Sequence, residues 1–124
     1  MKHISTGSPF ESSMGYSRAV VKGGWCFVSG VTGYDYATME MSPDIAAQGR
    51  TCFATIERVL QEAGFSMSDI VRVQYTVVDA NLVDALVPVL GETLGGIRPA
   101  ATMVIAGLIR PEMLIEIEVT AFKG

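Results

Sequence analysis

The chain has 124 residues, of which 49% are hydrophobic, and its formal net charge is −4. This composition suits one globular domain and excludes a disordered chain, and no uncharged run approaches the roughly 18 residues of a membrane-spanning helix. The sequence has no lysine or arginine cluster of the kind that binds nucleic acid. Residues 1–10 lack the apolar segment of a secretion signal. We therefore expect a cytoplasmic protein with neither a membrane nor a nucleic acid as a partner.

The cysteines and the histidine restrict the possible chemistry. Cys26 and Cys52 lie far apart and form no CxxC or zinc-binding pattern. Each lies in an apolar segment, so we predict that both are buried free thiols. The sole histidine, His3, is next to the chain terminus, which argues against Ser-His or Cys-His catalysis. The sequence accordingly predicts no metal site, no catalytic histidine and no bound nucleotide.

The first recognisable element is a hairpin. Gly23-Gly24 separates the β-prone runs 19–22 and 25–31, a pattern typical of two antiparallel strands joined by a tight turn. The segment 32–42 that follows contains glycine, aspartate and serine and is predicted to be a loop. Its Tyr34-Asp35-Tyr36 stretch is a candidate for the rim of a pocket, a point that the sequence leaves open.

A long helix is predicted after this loop. Ser42 has the residue type of an N-cap, and Pro43 suits the first helical position. Apolar residues recur at helical spacing from Ile45 onward, and Gly64 is a natural stop. The pattern therefore predicts a helix over 43–63 with one apolar face.

Three strands and a second helix complete the chain. Alternating residues predict a strand over 70–78, a helix over 82–93 that contains Pro88, and strands over 101–106 and 113–122. In the first of these strands, alternation assigns one face to Val71, Val73, Tyr75 and Val77. In the last strand, one face carries Ile115, Ile117, Val119 and Ala121, and the other carries Leu114, Glu116, Glu118, Thr120 and Phe122.

These elements predict an α+β fold with a mixed sheet of five or six strands and two helices on one face. Two helices cover only one side of such a sheet. The other side carries apolar residues beside two carboxylates, so leaving it bare would expose a large apolar patch. We therefore expect the chain to associate with other copies through this second face.

Several spaced motifs resemble one known family. They are Tyr16-Ser17-Arg18-Ala19-Val20, Val28-Ser29-Gly30, Ala46-Ala47-Gln48, Glu62-Ala63-Gly64, Asp69-Ile70-Val71-Arg72, Arg98-Pro99-Ala100 and Leu114-Ile115-Glu116-Ile117-Glu118. Together they are similar to the Rid family of reactive intermediate deaminases, also called endoribonuclease L-PSP-like proteins. The resemblance implies a chorismate-mutase-like fold, a homotrimer and small-molecule sites in the clefts between subunits. It also implies cofactor-free hydrolysis of reactive enamines or imines to 2-oxo acids and ammonia.

One position departs from the family pattern. The resemblance implies an arginine two residues after Pro99, where it would grip a substrate carboxylate with two charge-assisted hydrogen bonds. This chain has Ala101 there. The loss of such a contact in a partly buried site amounts to about 2–5 kcal/mol. Carboxylate recognition is therefore expected to be altered, with Arg18 and Arg98 as candidate replacements and surface ion pairs as their alternative role.

The resemblance also implies further site residues. Glu116 is the candidate catalytic acid, which would position or protonate water or the leaving ammonia; its alternative is a structural glutamate at a subunit interface. Tyr16, Ser29 and Thr102 are candidate substrate-binding residues, with interface or sheet contacts as their alternatives. Glu118 has the same strand parity as Glu116, and a solvated or ion-paired role suits it better.

Two functions follow from these observations. The first is a Rid-type hydrolytic deaminase, acting on a C–N bond of a small reactive enamine, imine or related metabolite. The alternative is a non-catalytic small-molecule binding or regulatory trimer, which the apolar residues Ala101 and Met103 favour. Endoribonuclease activity is not expected, because RNA cleavage needs a base, an acid and cation support, and the chain is acidic.

Overall fold

The computed structural model describes all 124 residues and contains a six-stranded sheet. The strands are β1 (Lys2–Ile4), β2 (Ala19–Lys22), β3 (Trp25–Thr32), β4 (Tyr34–Asp35), β5 (Glu40–Met41), β6 (Ile70–Val77), β7 (Ala100–Ile105) and β8 (Ile115–Phe122). The large sheet has the order β1-β2-β3-β8-β6-β7, and β4 pairs with β5 separately. Only β6 and β7 are parallel; every other pair is antiparallel.

Three helices accompany the sheet: α1 (Pro9–Met14), α2 (Ile45–Glu62) and α3 (Val83–Leu94). Helix α2 packs against β3 and β8 and also contacts α3. Its buried residues include Ile56 and Leu60, and those of α3 include Leu86 and Val89. The inward residues of β8 are all buried against them, so the predicted α+β fold with a mixed sheet is confirmed. None of the helices is long and apolar enough to cross a membrane.

The short elements near the N-terminus were not predicted from the sequence. Strand β1 has three residues and α1 has six, which is too short to show a periodic pattern. The segment 32–42 likewise contains the small β4–β5 hairpin rather than a plain loop. The predicted hairpin of β2 and β3 is confirmed, and Gly23 adopts the positive φ of 57° that its turn requires. Cys26 and Cys52 are buried free thiols, as predicted.

The start of α2 differs from its prediction by two residues. Asp44, not Ser42, is the N-cap: it has extended backbone angles, and its side chain accepts a hydrogen bond of 2.9 Å from the Ala47 amide. The Ser42 hydroxyl accepts from the Asp44 amide at 3.2 Å, so it supports the cap from outside the helix. The prediction that Ser42 caps a helix beginning at Pro43 was therefore wrong.

The position of the cap makes a testable prediction. We expect Asp44→Ala to lower the free energy of unfolding by about 1 kcal/mol, because an orphan amide of the first turn loses its partner. The matched variant Ser42→Ala should have a smaller effect, and urea unfolding at one protein concentration measures both. An equal or larger loss in Ser42→Ala would contradict the assignment.

Two register shifts decide which residues face the helices. Between β3 and β8, Val28 pairs with Val119 but Val31 pairs with Ile117, so β3 carries one extra residue at Ser29–Gly30. This β-bulge allows Val28 and Val31 to be buried on the same side although they are three positions apart. A second shift at the start of β6 buries Ile70 and leaves Val71 44% exposed. The prediction that Val71 shares a face with Val73, Tyr75 and Val77 was wrong for this reason.

The opposite side of the sheet, called the open face below, carries mixed side chains. Glu118 and Phe122 of β8 are exposed there, as are Trp25 and Phe27 of β3. Trp25 and Phe122 pack with their ring centroids 4.5 Å apart, and Trp25 is still 42% exposed and Phe122 40% exposed. The open face therefore leaves an aromatic patch without a partner within one chain.

Candidate functional site

Three of the predicted site residues line one cavity of about 320 Å³: Tyr16, Ser29 and Glu116. The bulge of β3 and the start of β8 form its floor. Helix α1 supplies one wall, and the segment between β7 and β8 supplies the other. A wider groove of about 580 Å³ adjoins it on the open face and shares Tyr16 and Ser29. The fold thus brings together residues from four separate parts of the chain.

Glu116 can line this cavity because Gly30 leaves room for its carboxyl group. A Cβ atom at Gly30 would stand 2.4 Å from the Glu116 carboxyl carbon, so any larger residue would displace the carboxyl group. Burial, and then the neighbouring charge of Glu118, raise the pKa of Glu116, although Arg18 opposes the shift. A carboxyl group with a raised pKa holds its proton closer to neutral pH, which suits an acid–base group.

Arg18 lies beneath the cavity rather than in it. It is 0% exposed and donates a 2.7 Å hydrogen bond from Nη1 to the Gly30 carbonyl. Longer contacts join Nη1 to the Ser29 hydroxyl at 3.4 Å and Nη2 to the Tyr16 hydroxyl at 3.5 Å. Its guanidinium carbon is 4.7 Å from the centre of the Tyr36 ring. The prediction that Arg18 faces a ligand was therefore wrong for the single chain, because its buried guanidinium hydrogen-bonds to residues that form the cavity wall.

A buried carboxylate accompanies this arginine. Glu11 of α1 places Oε2 at 3.8 Å from Arg18 Nε, and the exposed fractions of the two side chains are 8% and 1%. The same oxygen accepts hydrogen bonds from the Thr6 amide at 3.0 Å and the Thr6 hydroxyl at 2.6 Å. Burial opposes ionisation of Glu11, but these hydrogen bonds and Arg18 outweigh it and lower its pKa. The two charges largely cancel below the cavity.

Ser29 and Tyr16 occupy different parts of the cavity wall. The Ser29 hydroxyl lies 3.0 Å from the Arg18 carbonyl and 3.1 Å from the Ser17 carbonyl, so it has a backbone acceptor for its proton. It retains lone pairs that can accept from a ligand or water. Tyr16 is half-buried, and apart from the long contact with Arg18 its hydroxyl is available to a ligand.

The other two candidates lie at the opposite edge of the sheet. Thr102 is on edge strand β7 and accepts a 3.3 Å hydrogen bond from Arg72. Arg98 precedes β7 with a positive φ of 58° and lines a separate cavity of about 410 Å³, together with Tyr75 and Ala101. Two strand spacings, or roughly 10 Å, separate β7 from β8. Within one chain, neither Thr102 nor Arg98 joins the cavity of Glu116.

The structure adds residues that the sequence did not identify. Tyr36 is buried at the cavity wall, where its hydroxyl accepts a 3.0 Å hydrogen bond from the Thr32 amide and its ring supports Arg18. Its loop was predicted as a possible pocket rim, but the sequence does not distinguish among Tyr34, Asp35 and Tyr36. Leu108 and Met113 line the cavity from the segment between β7 and β8, and no motif marked them. No group of three histidine, cysteine, aspartate or glutamate side chains is placed to hold a metal ion.

Comparisons with known proteins show the family and the fold of this chain. The pattern of the family described as endoribonuclease L-PSP matches residues 6–123. A RutC family protein from Pyrococcus horikoshii is 32% identical over 109 residues, which cover 87% of this chain and 86% of the relative. The crystal structure of Rv2704 from Mycobacterium tuberculosis, a member of the YjgF/YER057c/UK114 family, is 39% identical with a TM-score of 0.89 and 98% coverage of both chains. The YjgF gene product from E. coli is 26% identical with a TM-score of 0.87 and full coverage of both. The chain therefore belongs to the Rid family, also described as the endoribonuclease L-PSP family.

Proposed function

We propose that this protein is a Rid-type hydrolase that converts a small reactive enamine or imine to the carbonyl compound and ammonia, with altered carboxylate recognition. The observation that carries the proposal is the carboxyl group of Glu116, which sits over Gly30 in a cavity shared with Tyr16 and Ser29. A carboxyl group with a raised pKa in a largely apolar cavity is a common feature of acid–base sites.

The chemistry requires one group that both gives and takes protons. Water adds to the imine carbon while the nitrogen accepts a proton, and the resulting carbinolamine loses ammonia as its hydroxyl proton departs. Burial and Glu118 raise the pKa of Glu116, so its carboxyl group exchanges protons nearer neutral pH than an exposed glutamate does. In this proposal Glu116 delivers the proton to nitrogen, and Tyr16 and Ser29 hold the water or the ligand.

The proposal includes a homotrimer in the cytoplasm, with ligands bound between subunits. The open face supports association, because Trp25, Phe27 and Phe122 are each at least 40% exposed there. A second chain also accounts for Arg98 and Thr102, which would complete the cavity of Glu116 from across the interface. The unpaired thiols of Cys26 and Cys52 suit a reducing compartment.

A non-catalytic small-molecule binding or regulatory protein is the second candidate. It is favoured by Ala101, which contributes no charged group to the cavity near Arg98, and by the buried state of Arg18. If no guanidinium contacts the ligand, the cavity lacks the group that would hold a substrate carboxylate for reaction. The protein would then bind a ligand without converting it.

An assay of imine hydrolysis tests the proposed function. Imines are generated in situ by an amino-acid oxidase from a series of aliphatic and a series of aromatic amino acids, and semicarbazide captures the 2-imino acid faster than it condenses with the 2-oxo acid that hydrolysis forms. We expect the folded protein to lower semicarbazone formation for at least one imine, in proportion to protein concentration, whereas heat-denatured protein has no effect. A folded sample that changes no imine in either series would contradict the hydrolase and leave the binding protein.

A further inference from the structure

We propose that Arg18 is a positioning residue of the candidate site: without touching a ligand, it fixes the bulge of β3 and thereby the carboxyl group of Glu116. The geometric part of the proposal rests on contacts within one chain, and its kinetic part rests on the proposed hydrolase. Arg18 is already 0% exposed in one chain, so its contacts do not depend on what a neighbouring subunit adds to the cavity.

The first link joins Arg18 to the backbone of the bulge. The extra residue of a β-bulge leaves backbone groups without their regular partners in the sheet, and a buried carbonyl needs a donor from elsewhere. Nη1 of Arg18 supplies that donor to the Gly30 carbonyl at 2.7 Å. A charged donor makes a stronger hydrogen bond than a neutral one. The path of β3 at Gly30 is therefore tied to the position of the guanidinium.

The second link joins Gly30 to Glu116. The carboxyl group of Glu116 lies so close over Gly30 that a Cβ atom added there would stand 2.6 and 2.8 Å from its two oxygens. Glu116 also pairs with β3 directly beyond the bulge, where Thr32 is its partner in the sheet. A shift of the Gly30 backbone toward the cavity would displace the carboxyl group, and a shift away would remove its support. The placement of this carboxyl group thus depends on the geometry of the bulge.

The same arginine orients the hydroxyl group of Ser29. This hydroxyl lies 3.0 Å from the Arg18 carbonyl and 3.1 Å from the Ser17 carbonyl, and Nη1 of Arg18 approaches it at 3.4 Å. A hydroxyl has one proton and two lone pairs. Because the proton goes to a backbone carbonyl and one lone pair faces Nη1, the other lone pair remains for water or a ligand. Ser29 therefore serves the cavity as a hydrogen-bond acceptor.

The planar shape of arginine suits this position. While Nη1 reaches the Gly30 carbonyl, Nε lies 3.8 Å from Glu11 Oε2 and has no hydrogen-bond partner. The face of the guanidinium lies 4.7 Å from the centre of the Tyr36 ring, whose hydroxyl is held by the Thr32 amide at 3.0 Å. A lysine would keep the positive charge but would present one ammonium group in place of the fork. Arg18→Lys therefore separates the charge from the positioning.

The kinetic part is tested with Arg18→Lys and the imine that the hydrolysis assay identifies, at increasing imine concentration. We expect kcat per folded molecule to fall about tenfold to hundredfold with little change in KM, because a misplaced group transfers protons less well. In the Glu116→Gln background the same substitution should cost less than about threefold, since the group that it positions is already inactive. Arg50→Lys, exposed on α2, should leave kcat unchanged. Equal losses in the two backgrounds would overturn the proposal.

An NMR comparison decides the geometric part without a substrate. In Arg18→Lys we expect the chemical shifts of both the Gly30 carbonyl carbon and the Glu116 carboxyl carbon to move, while those of α3 stay as in the wild type. If this variant does not fold, Arg18→Met with Glu11→Gln replaces it, because no unpaired charge is then buried. A change at Gly30 alone, or at neither carbon, would overturn the proposal. If no imine is hydrolysed, the proposed hydrolase fails, and the two carbon shifts still decide whether Arg18 positions Glu116.

Discussion

Arg18→Met should lower the free energy of unfolding by about 3–5 kcal/mol, because it leaves a buried carboxylate without its cation. Glu11 would keep its hydrogen bonds from Thr6 but lose the guanidinium 3.8 Å away. The Gly30 carbonyl in the bulge would also lose its 2.7 Å donor. Urea unfolding at a fixed protein concentration measures the change, since association would make the stability depend on concentration.

Two further variants test whether the loss of stability comes from breaking the Arg18–Glu11 pair or from removing an arginine in general. Arg50→Met removes an exposed arginine from α2 and should change the stability by no more than about 0.5 kcal/mol. The double variant Arg18→Met with Glu11→Gln should recover part of the loss, because no uncompensated charge remains. A loss below about 1 kcal/mol in Arg18→Met would show that the pair does not stabilise the wall of the cavity.

Glu116→Gln should reduce imine hydrolysis by about 10²–10⁴-fold, the usual contribution of a general acid or base. Glutamine has nearly the same shape and keeps the contacts with Gly30, but it cannot transfer a proton. The matched variant Glu118→Gln alters the exposed neighbour on the same strand face and should retain most of the activity. Comparable losses in the two variants would mean that charge on this face, not proton transfer by Glu116, supports turnover.

The same substitution should change how stability depends on pH. Burial, and then Glu118, raise the pKa of Glu116 in the folded protein above its ordinary value of 4.5, so the folded state binds this proton more tightly than the unfolded state does. The resulting stabilisation is complete below pH 4.5 and is lost as the pH rises through the folded-state pKa. Glu116→Gln should therefore gain stability relative to the wild type as pH increases across this window. A constant difference between them from pH 4 to pH 8 would rule out a raised pKa.

Long periodic segments made most of the fold predictable. Helix α2 and strand β8 have apolar residues at regular spacing over 18 and 8 residues, so periodicity alone identifies the buried face of each. Ser42 and Asp44 illustrate the limit, because both have capping side chains and only the backbone angles choose between them. Strand β1 was not predicted, because its three residues can be identified as a strand only from their pairing with β2.

The candidate site was predicted less completely than the fold. The family resemblance pointed to Tyr16, Ser29 and Glu116, which the chain does bring together in one cavity. Nothing local indicated that Arg18 would be buried, because charged residues are seldom fully buried and its partner Glu11 lies on a helix that shows no periodic pattern. Whether Arg98 and Thr102 reach the cavity of a second chain depends on packing between copies, which the pattern within one sequence does not encode.

The bulge in β3 links the path of the backbone to the burial of the Arg18 charge, two features that are usually independent. The extra residue turns the Gly30 carbonyl away from the regular strand pairing, and the Arg18 guanidinium donates a hydrogen bond to this carbonyl. Removing the extra residue would return that carbonyl to the sheet and leave a buried cation with one acceptor fewer. Removing the arginine would leave a kinked strand with an unsatisfied oxygen. The backbone irregularity and the charge beneath it therefore depend on each other, and the loss of either one would leave the other without its hydrogen-bond partner.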